Sequence, residues 1–129
     1  QMYDECTNIR LCVYKQVKMV TQTLQQEISQ LEADFCSALS DPSRILILYA
    51  LSDAPRNVTE ITNELGLSQP TASRHLKILR ERGLVHTVKQ GTTVTYHLSD
   101  ARLIQALDLL RAIMRERLTY RASLITEID

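Results

Sequence analysis

Two groups of residues in this chain have the types and spacing to do chemistry. The first is the run Ser68, Gln69, Thr71, Ser73, Arg74, His75 and Lys77. It brings hydroxyls, an amide, an imidazole and two cations together on one short stretch. Such groups hydrogen-bond to phosphate oxygens and to base edges in the grooves of a duplex. The second group is the three cysteines, Cys6, Cys12 and Cys36. Thiolates suit soft ions, and three of them could hold a trigonal arsenite or a soft divalent metal ion such as cadmium or lead.

The elements that must position the first group can be read from their punctuation. Ser68 is an N-cap type, Pro70 falls in the first turn where a missing N–H costs little, and Gly83 stands where a helix ends in a left-handed residue. Ala72, Leu76 and Leu79 share one face. Thr71, Ser73, Arg74 and Lys77 take the opposite arc, with His75 toward its edge. An ordinary amphipathic surface helix has the same pattern, so the neighbours decide. Leu84–Lys89 and Thr93–Leu98 are β-branched runs around the turn Gln90-Gly91-Thr92, which predicts a hairpin with Lys89, Gln90, Thr92 and Thr93 at its tip. Upstream, Asn57 and Glu60 resemble a capping box opening a short helix on Val58, Ile61 and Leu65, and Gly66 closes it. Helix, turn, helix and hairpin is the order of a winged helix-turn-helix. The expected fold is mostly α with one small β-hairpin.

The rest of the composition bounds the answer. At 129 residues the chain supports one domain with a modest core. No apolar run approaches the ~18–20 residues of a membrane span, and no basic-then-apolar leader is visible at the N-terminus, where Met2 is the expected natural start. An odd number of cysteines without a leader predicts a reducing, cytoplasmic setting rather than a disulfide framework. In that setting the sequon Asn57-Val58-Thr59 is only a capping sequence. Formal net charge is zero, which would argue against a nucleic-acid partner if charge were evenly spread. It is not: residues 68–93 hold Arg74, Lys77, Arg80, Arg82 and Lys89 against Glu81 alone, a local excess of +4, whereas residues 1–41 carry −3. The positive charge lies where a DNA-binding element needs it.

Long amphipathic segments flank this centre. Residues 1–12 lack a clear period and are expected to form an arm, with 13–129 the winged-helix domain. From Val13, a stripe of Val17, Val20, Leu24, Ile28, Leu31, Phe35 and Leu39 predicts a helix that runs to Asp41-Pro42. Asp41 and Pro42 stop it and open another, with Ile45, Leu48, Tyr49 and Leu51 on its buried side and its end near Asp53. Behind Ser99-Asp100, the series Leu103, Leu107, Leu110, Met114 and Leu118, extended by Leu124 or Ile125, predicts a last helix of more than 20 residues. Both stripes exceed what one small domain needs to cover its core, so a homodimer built from both terminal helices is expected.

These segments also resemble a known family. Phe35-Cys36-Ser37-Ala38-Leu39-Ser40-Asp41-Pro42-Ser43-Arg44-Ile45-Leu46-Ile47-Leu48 resembles the F-x-A-L-S-D-P-T-R-L-x-I-L opening of the ArsR/SmtB repressors. Leu65 through Lys77 is similar to that family's recognition segment, L-x-L-S-Q-x-x-x-S-x-H-L, and Leu84 through Leu98 to its wing. The resemblance covers roughly residues 33–125. It implies a homodimeric winged-helix repressor bound to double-stranded operator DNA, and release when an inducer arrives, often a soft metal, a metalloid or an oxidant of cysteine. By the matched motif, Ser68, Gln69, Thr71, Ser73 and His75 inherit DNA contacts; Arg74 and Lys77 join them by helical position. The family's sensor sites match poorly. A Cys-x-Cys pair known in the helix before recognition falls here on Asn57 and Thr59, and a site of Asp, His, His and Glu on the C-terminal helices meets a segment with no His after His97.

The cysteines therefore remain the sensor candidates. Cys6 and Cys12 are six residues apart, on largely opposite sides of a helix, so joint binding needs a non-helical arm. Cys12 and Cys36 are about 36 Å apart on one straight helix at ~1.5 Å per residue. An antiparallel crossing near Leu24 would instead bring Cys12 toward the partner's Cys36. Two alternatives stay open: a redox switch in which Cys6 and Cys12 form a disulfide, and structural thiols, with Cys36 a small buried hydrophobe beside Phe35. His86 and His97 lie on facing strands and are expected to be surface or cross-strand residues. A winged helix used as a protein-interaction module is the alternative from another class. No Gly-rich phosphate loop, nucleophile elbow or paired metal-ligand motif points to an enzyme.

Overall fold

The structure is a computed structural model that describes residues 21–128. The expected arm over 1–12, Cys6, Cys12 and the first turns of the N-terminal helix lie outside the described residues. The chain divides into two units, Gln1–Ser40 and Asp41–Asp129.

In the first unit a helix, α1, spans 21–31 and carries Leu24, Ile28 and Leu31 as an exposed apolar stripe. It does not run unbroken to Leu39 as expected. Glu32–Cys36 widens into a π turn closed by the Ser37 N–H donating to the Glu32 carbonyl at 3.0 Å, and Ala38–Ser40 tightens into a 3₁₀ turn. The reason is local competition for carbonyls. The Ser37 hydroxyl donates to the Ala33 carbonyl and that of Ser40 to the Ser37 carbonyl at 2.7 Å, so the α-ladder is not continued.

The second unit is built by its caps. Asp41 accepts from the Ser43 N–H at 2.8 Å and Pro42 fills the first position of α2, Pro42–Asp53. Its run Arg-Ile-Leu-Ile-Leu-Tyr-Ala-Leu is apolar on most sides, and Ile47, Leu48, Ala50 and Leu51 are buried. Ile45 and Tyr49, expected inside, are half-buried, and Ile47 takes the inner place. The Asn57/Glu60 capping box forms as predicted and opens α3, Val58–Leu65; Gly66 ends it at φ +66°, a left-handed turn that favours glycine. Ser68 caps α4, Gln69–Glu81, and Gly83 reverses the chain at φ +79°.

Strands β1, Val85–Gln90, and β2, Thr93–Leu98, pair antiparallel with Val85 opposite Leu98 and Gln90 opposite Thr93. The turn is therefore the two residues Gly91-Thr92, one shorter than expected. Gly91 at φ +62°, followed by a residue of negative φ, has the sign pattern of a type II′ turn. The hairpin is tied to the helices at its open end. Arg56, in the α2–α3 loop, and Tyr96 exchange backbone hydrogen bonds of 3.2 and 2.8 Å. The Arg56 side chain also bridges the Ala50 carbonyl, Asp53 and Glu64.

Asp100 accepts from the Arg102 N–H at 2.9 Å, and α5 then runs for 27 residues, Arg102–Ile128. Leu107 is buried. A cluster of Tyr49, Asp108 and Arg111 joins α5 to α2: the Tyr49 hydroxyl donates to Asp108 at 2.7 Å, and the Arg111 guanidinium lies 5.2 Å over the Tyr49 ring. Beyond this point Ile113, Met114, Leu118, Leu124 and Ile125 are exposed. No described helix is long and apolar enough to cross a membrane. The core of the unit is Ile47, Leu48, Ile61, Leu76, Leu79 and Leu84, all fully buried.

Candidate nucleic-acid interface

The interface is built on the two sides of α4. Ala72, His75, Leu76 and Leu79 are buried, and this spacing of three, four and seven fastens the helix to the core along its length. The other side presents Ser73, Arg74, Lys77 and Arg80, all exposed, and Gln69 is exposed at the helix's first position. Lys77 keeps three-quarters of its side-chain surface in solvent and reaches Glu81 only at 3.9 Å. At such distance and exposure the ion pair holds the ammonium weakly, leaving it available to a phosphate.

At the N-terminus of α4, the Ser68 hydroxyl accepts from the Thr71 N–H at 3.3 Å and donates to the Thr71 hydroxyl at 2.7 Å. Thr71 is half-buried by this arrangement; Ser68 and Gln69 stay exposed beside the helix's positive end. At the far end of the hairpin Lys89, Gln90, Thr92 and Thr93 are all exposed.

His75 is the correction. Its ring is turned inward, 8% exposed, with Nδ1 3.4 Å from Nη1 of Arg44, itself 9% exposed. A buried imidazole in the α2–α4 seam cannot read a base edge, so His75 leaves the contact set. The signal was available: His75 lies three residues after Ala72 and four before Leu79, squarely on the buried stripe. Asp41 adjoins the pair. The Ser43 backbone N–H, with smaller contributions from the charges of His75 and Arg44, holds its carboxyl below the usual range. Arg80 is the converse case, a residue on the outward arc that stands three after Lys77 and extends the basic surface by one turn.

Of the three cysteines only Cys36 is described. It is an exposed free thiol at the end of the π turn, not the buried hydrophobe of the structural alternative, and its neighbour Phe35 is exposed too. Among the described residues no group of three His, Cys, Asp or Glu side chains converges on a metal-sized site.

Residues 41–87, which cover α2, α3, α4 and the start of the hairpin, match the model of bacterial regulatory proteins of the arsR family. The biofilm growth-associated repressor of Xylella fastidiosa is 32% identical over 81 residues, 63% of this chain and 71% of that protein. The chain belongs to the arsR family. Within the family it is also similar to the transcriptional regulator NmtR of Mycobacterium tuberculosis, 37% identical over 76 residues, 59% of this chain; it spans 63% of NmtR's length. Among solved structures, a homodimeric winged helix-turn-helix DNA-binding domain from Mycobacterium bovis superposes with a TM-score of 0.63 at 25% identity, over 78% of this chain and 89% of that one. These ArsR-family relatives are transcriptional regulators, not enzymes, and the fold is the winged helix-turn-helix expected from the order of elements.

Proposed function

We propose that this ArsR-family chain is a sequence-specific repressor that works as a homodimer on double-stranded operator DNA. The observation that carries the reading is the two-sidedness of α4: one arc is locked in the core while Ser73, Arg74 and Lys77 stand exposed on the other and Gln69 is exposed at the N-terminus. In the major groove, Gln69, Ser73 and the N-terminal hydroxyls of Ser68 and Thr71 face base edges and nearby phosphates, and Arg74 and Lys77 neutralise backbone charge. The wing end, Lys89, Gln90, Thr92 and Thr93, lies on the adjacent backbone or minor groove. The second chain joins through the exposed apolar side of α5, which a monomer leaves in water, and two copies read half-sites roughly 34–36 Å apart. Fluorescence anisotropy with DNA from the protein's own promoter, measured across a salt series, tests this. Salt-insensitive binding, or none at physiological salt, refutes it in favour of a protein-interaction module.

We infer that release runs through the thiols, with arsenite or a soft divalent ion as inducer. The observation that supports this is the accessible free thiol of Cys36. Cysteine oxidation is the competing trigger. Operator binding followed during titration with arsenite, cadmium and peroxide, with each cysteine changed to Ser in turn, separates them. Indifference to all of these removes the thiol sensor.

A further inference from the structure

We propose that His86 and His97 form a two-imidazole binding site for a borderline divalent metal ion at the base of the wing. The two residues are directly opposite in the β1–β2 register and therefore on one face of the hairpin. Their rings stack with centroids 5.2 Å apart and planes 16° from parallel. His86 is exposed and His97 half-exposed. Among the described residues the rings of His86 and His97 have no hydrogen bond to protein, and they stack on one another. Most structural histidines commit a nitrogen to a carbonyl or carboxylate. This pair commits none.

Chemistry selects the ligand. Neutral imidazole is the commonest metal ligand in proteins and suits nickel, copper and zinc in preference to calcium or magnesium. Stacked rings do not chelate as they stand; rotation about the side-chain torsions turns one nitrogen of each toward a shared ion at ~2.0–2.1 Å. No third His, Cys, Asp or Glu joins them among the described residues, so water fills the remaining positions and the affinity is modest. The site lies four register positions from the closing pair Gln90–Thr93, roughly 14 Å at 3.4 Å per residue, so an ion there leaves the wing end free. Its effect is to staple β1 to β2 where the hairpin joins the helices.

The test uses the full reduced chain and Ni²⁺, which does not oxidise thiols. Ni²⁺ is expected to raise the melting temperature by several degrees and to broaden the NMR resonances of His86, His97 and their same-face neighbours Val88 and Thr95. His86→Gln and His97→Gln, conservative changes on an exposed strand face, are each expected to weaken calorimetric Ni²⁺ affinity at least tenfold. Unaltered affinity in both histidine variants overturns the proposal, as does absence of broadening at millimolar Ni²⁺. It also fails if His86→Gln leaves Ni²⁺ binding intact but lowers the salt dependence of DNA binding in chelator-treated buffer, since the pair would then be a phosphate contact.

Discussion

Arg44 and His75 meet across the α2–α4 seam, Nη1 to Nδ1 at 3.4 Å, with both side chains buried. A guanidinium can only donate, so the contact is a hydrogen bond when Nδ1 carries no proton. The contact joins the helix that is capped by Asp41 to the helix proposed to face DNA. His75→Ala removes a hydrogen bond and leaves a cavity, at a cost of about 2–3 kcal/mol. The same variant is expected to bind operator more weakly with an unchanged salt slope, because α4 is displaced and no phosphate contact is lost. A reduced slope in His75→Ala would restore the residue to the DNA surface.

Arg74 and Lys77 should behave in the opposite way. Each lies exposed on α4 with no strong protein partner, so Arg74→Ala or Lys77→Ala should leave the denaturation midpoint nearly unmoved. The slope of log affinity against log salt should fall by about 1 in each variant. Arg80→Ala is expected to follow them in the same direction. Equal slopes for wild type and all three variants would contradict the assignment of the arc.

The cap of α4 has its own signature. Ser68→Ala loses the bond to the Thr71 N–H and frees the Thr71 hydroxyl, and about 1 kcal/mol of stability with it. Ser68→Asp should retain stability, as a good cap, yet weaken operator binding by placing a carboxylate where phosphates approach. Urea denaturation and anisotropy on the two variants separate capping from contact.

The exposed face of α5 predicts assembly. Met114 is 56% and Leu118 56% exposed in the single chain, beside Ile113 and Leu110. Sedimentation should show a wild-type dimer, and Leu118→Glu should shift it to monomer while far-UV circular dichroism persists. A wild-type monomer at micromolar concentration would remove the dimer.

Acid stability follows from two carboxylates. Hydrogen bonding by the Arg102 side chain, then by its backbone N–H, lowers Asp100 to about 2, and the Ser43 N–H lowers Asp41. A carboxylate depressed in the folded state contributes stability above its unfolded value and loses it as pH falls toward the folded one. Urea midpoints should therefore decline from roughly pH 4 downward. Asp100→Asn should flatten that decline, most clearly between pH 4 and pH 2; an identical profile would dismiss the Asp100–Arg102 contribution.

Much of this fold was legible beforehand because its signals are local. The Asn57/Glu60 box, Ser68, Gly66 and Gly83 act within a turn of their own position, and each acts where expected. The β1–β2 hairpin followed from alternation and a glycine, although the register shortened its turn to Gly91-Thr92. Most of what failed was non-local; the break in the N-terminal helix was not. Polarity suggested an outward His75, but the partner that stabilises it inside, Arg44, is 31 residues away. Arg56 carried no recognisable motif; its bridge to Tyr96 exists only because the hairpin folds back on the α2–α3 loop. The break in the N-terminal helix came from serine hydroxyls competing for carbonyls, a competition that hydrophobic spacing does not register.

By itself the amino-acid sequence determined the order of the elements, the caps and turns that bound them, and the arc of α4 that gathers hydroxyls and cations. Periodicity and short-range hydrogen bonding settle these within a few residues. Tertiary structure alone decided that His75 is a joint between helices, that His86 and His97 share one stacked face, and that most of α5 lies uncovered. Burial and pairing depend on which distant segments meet, and only the packed chain brings them together.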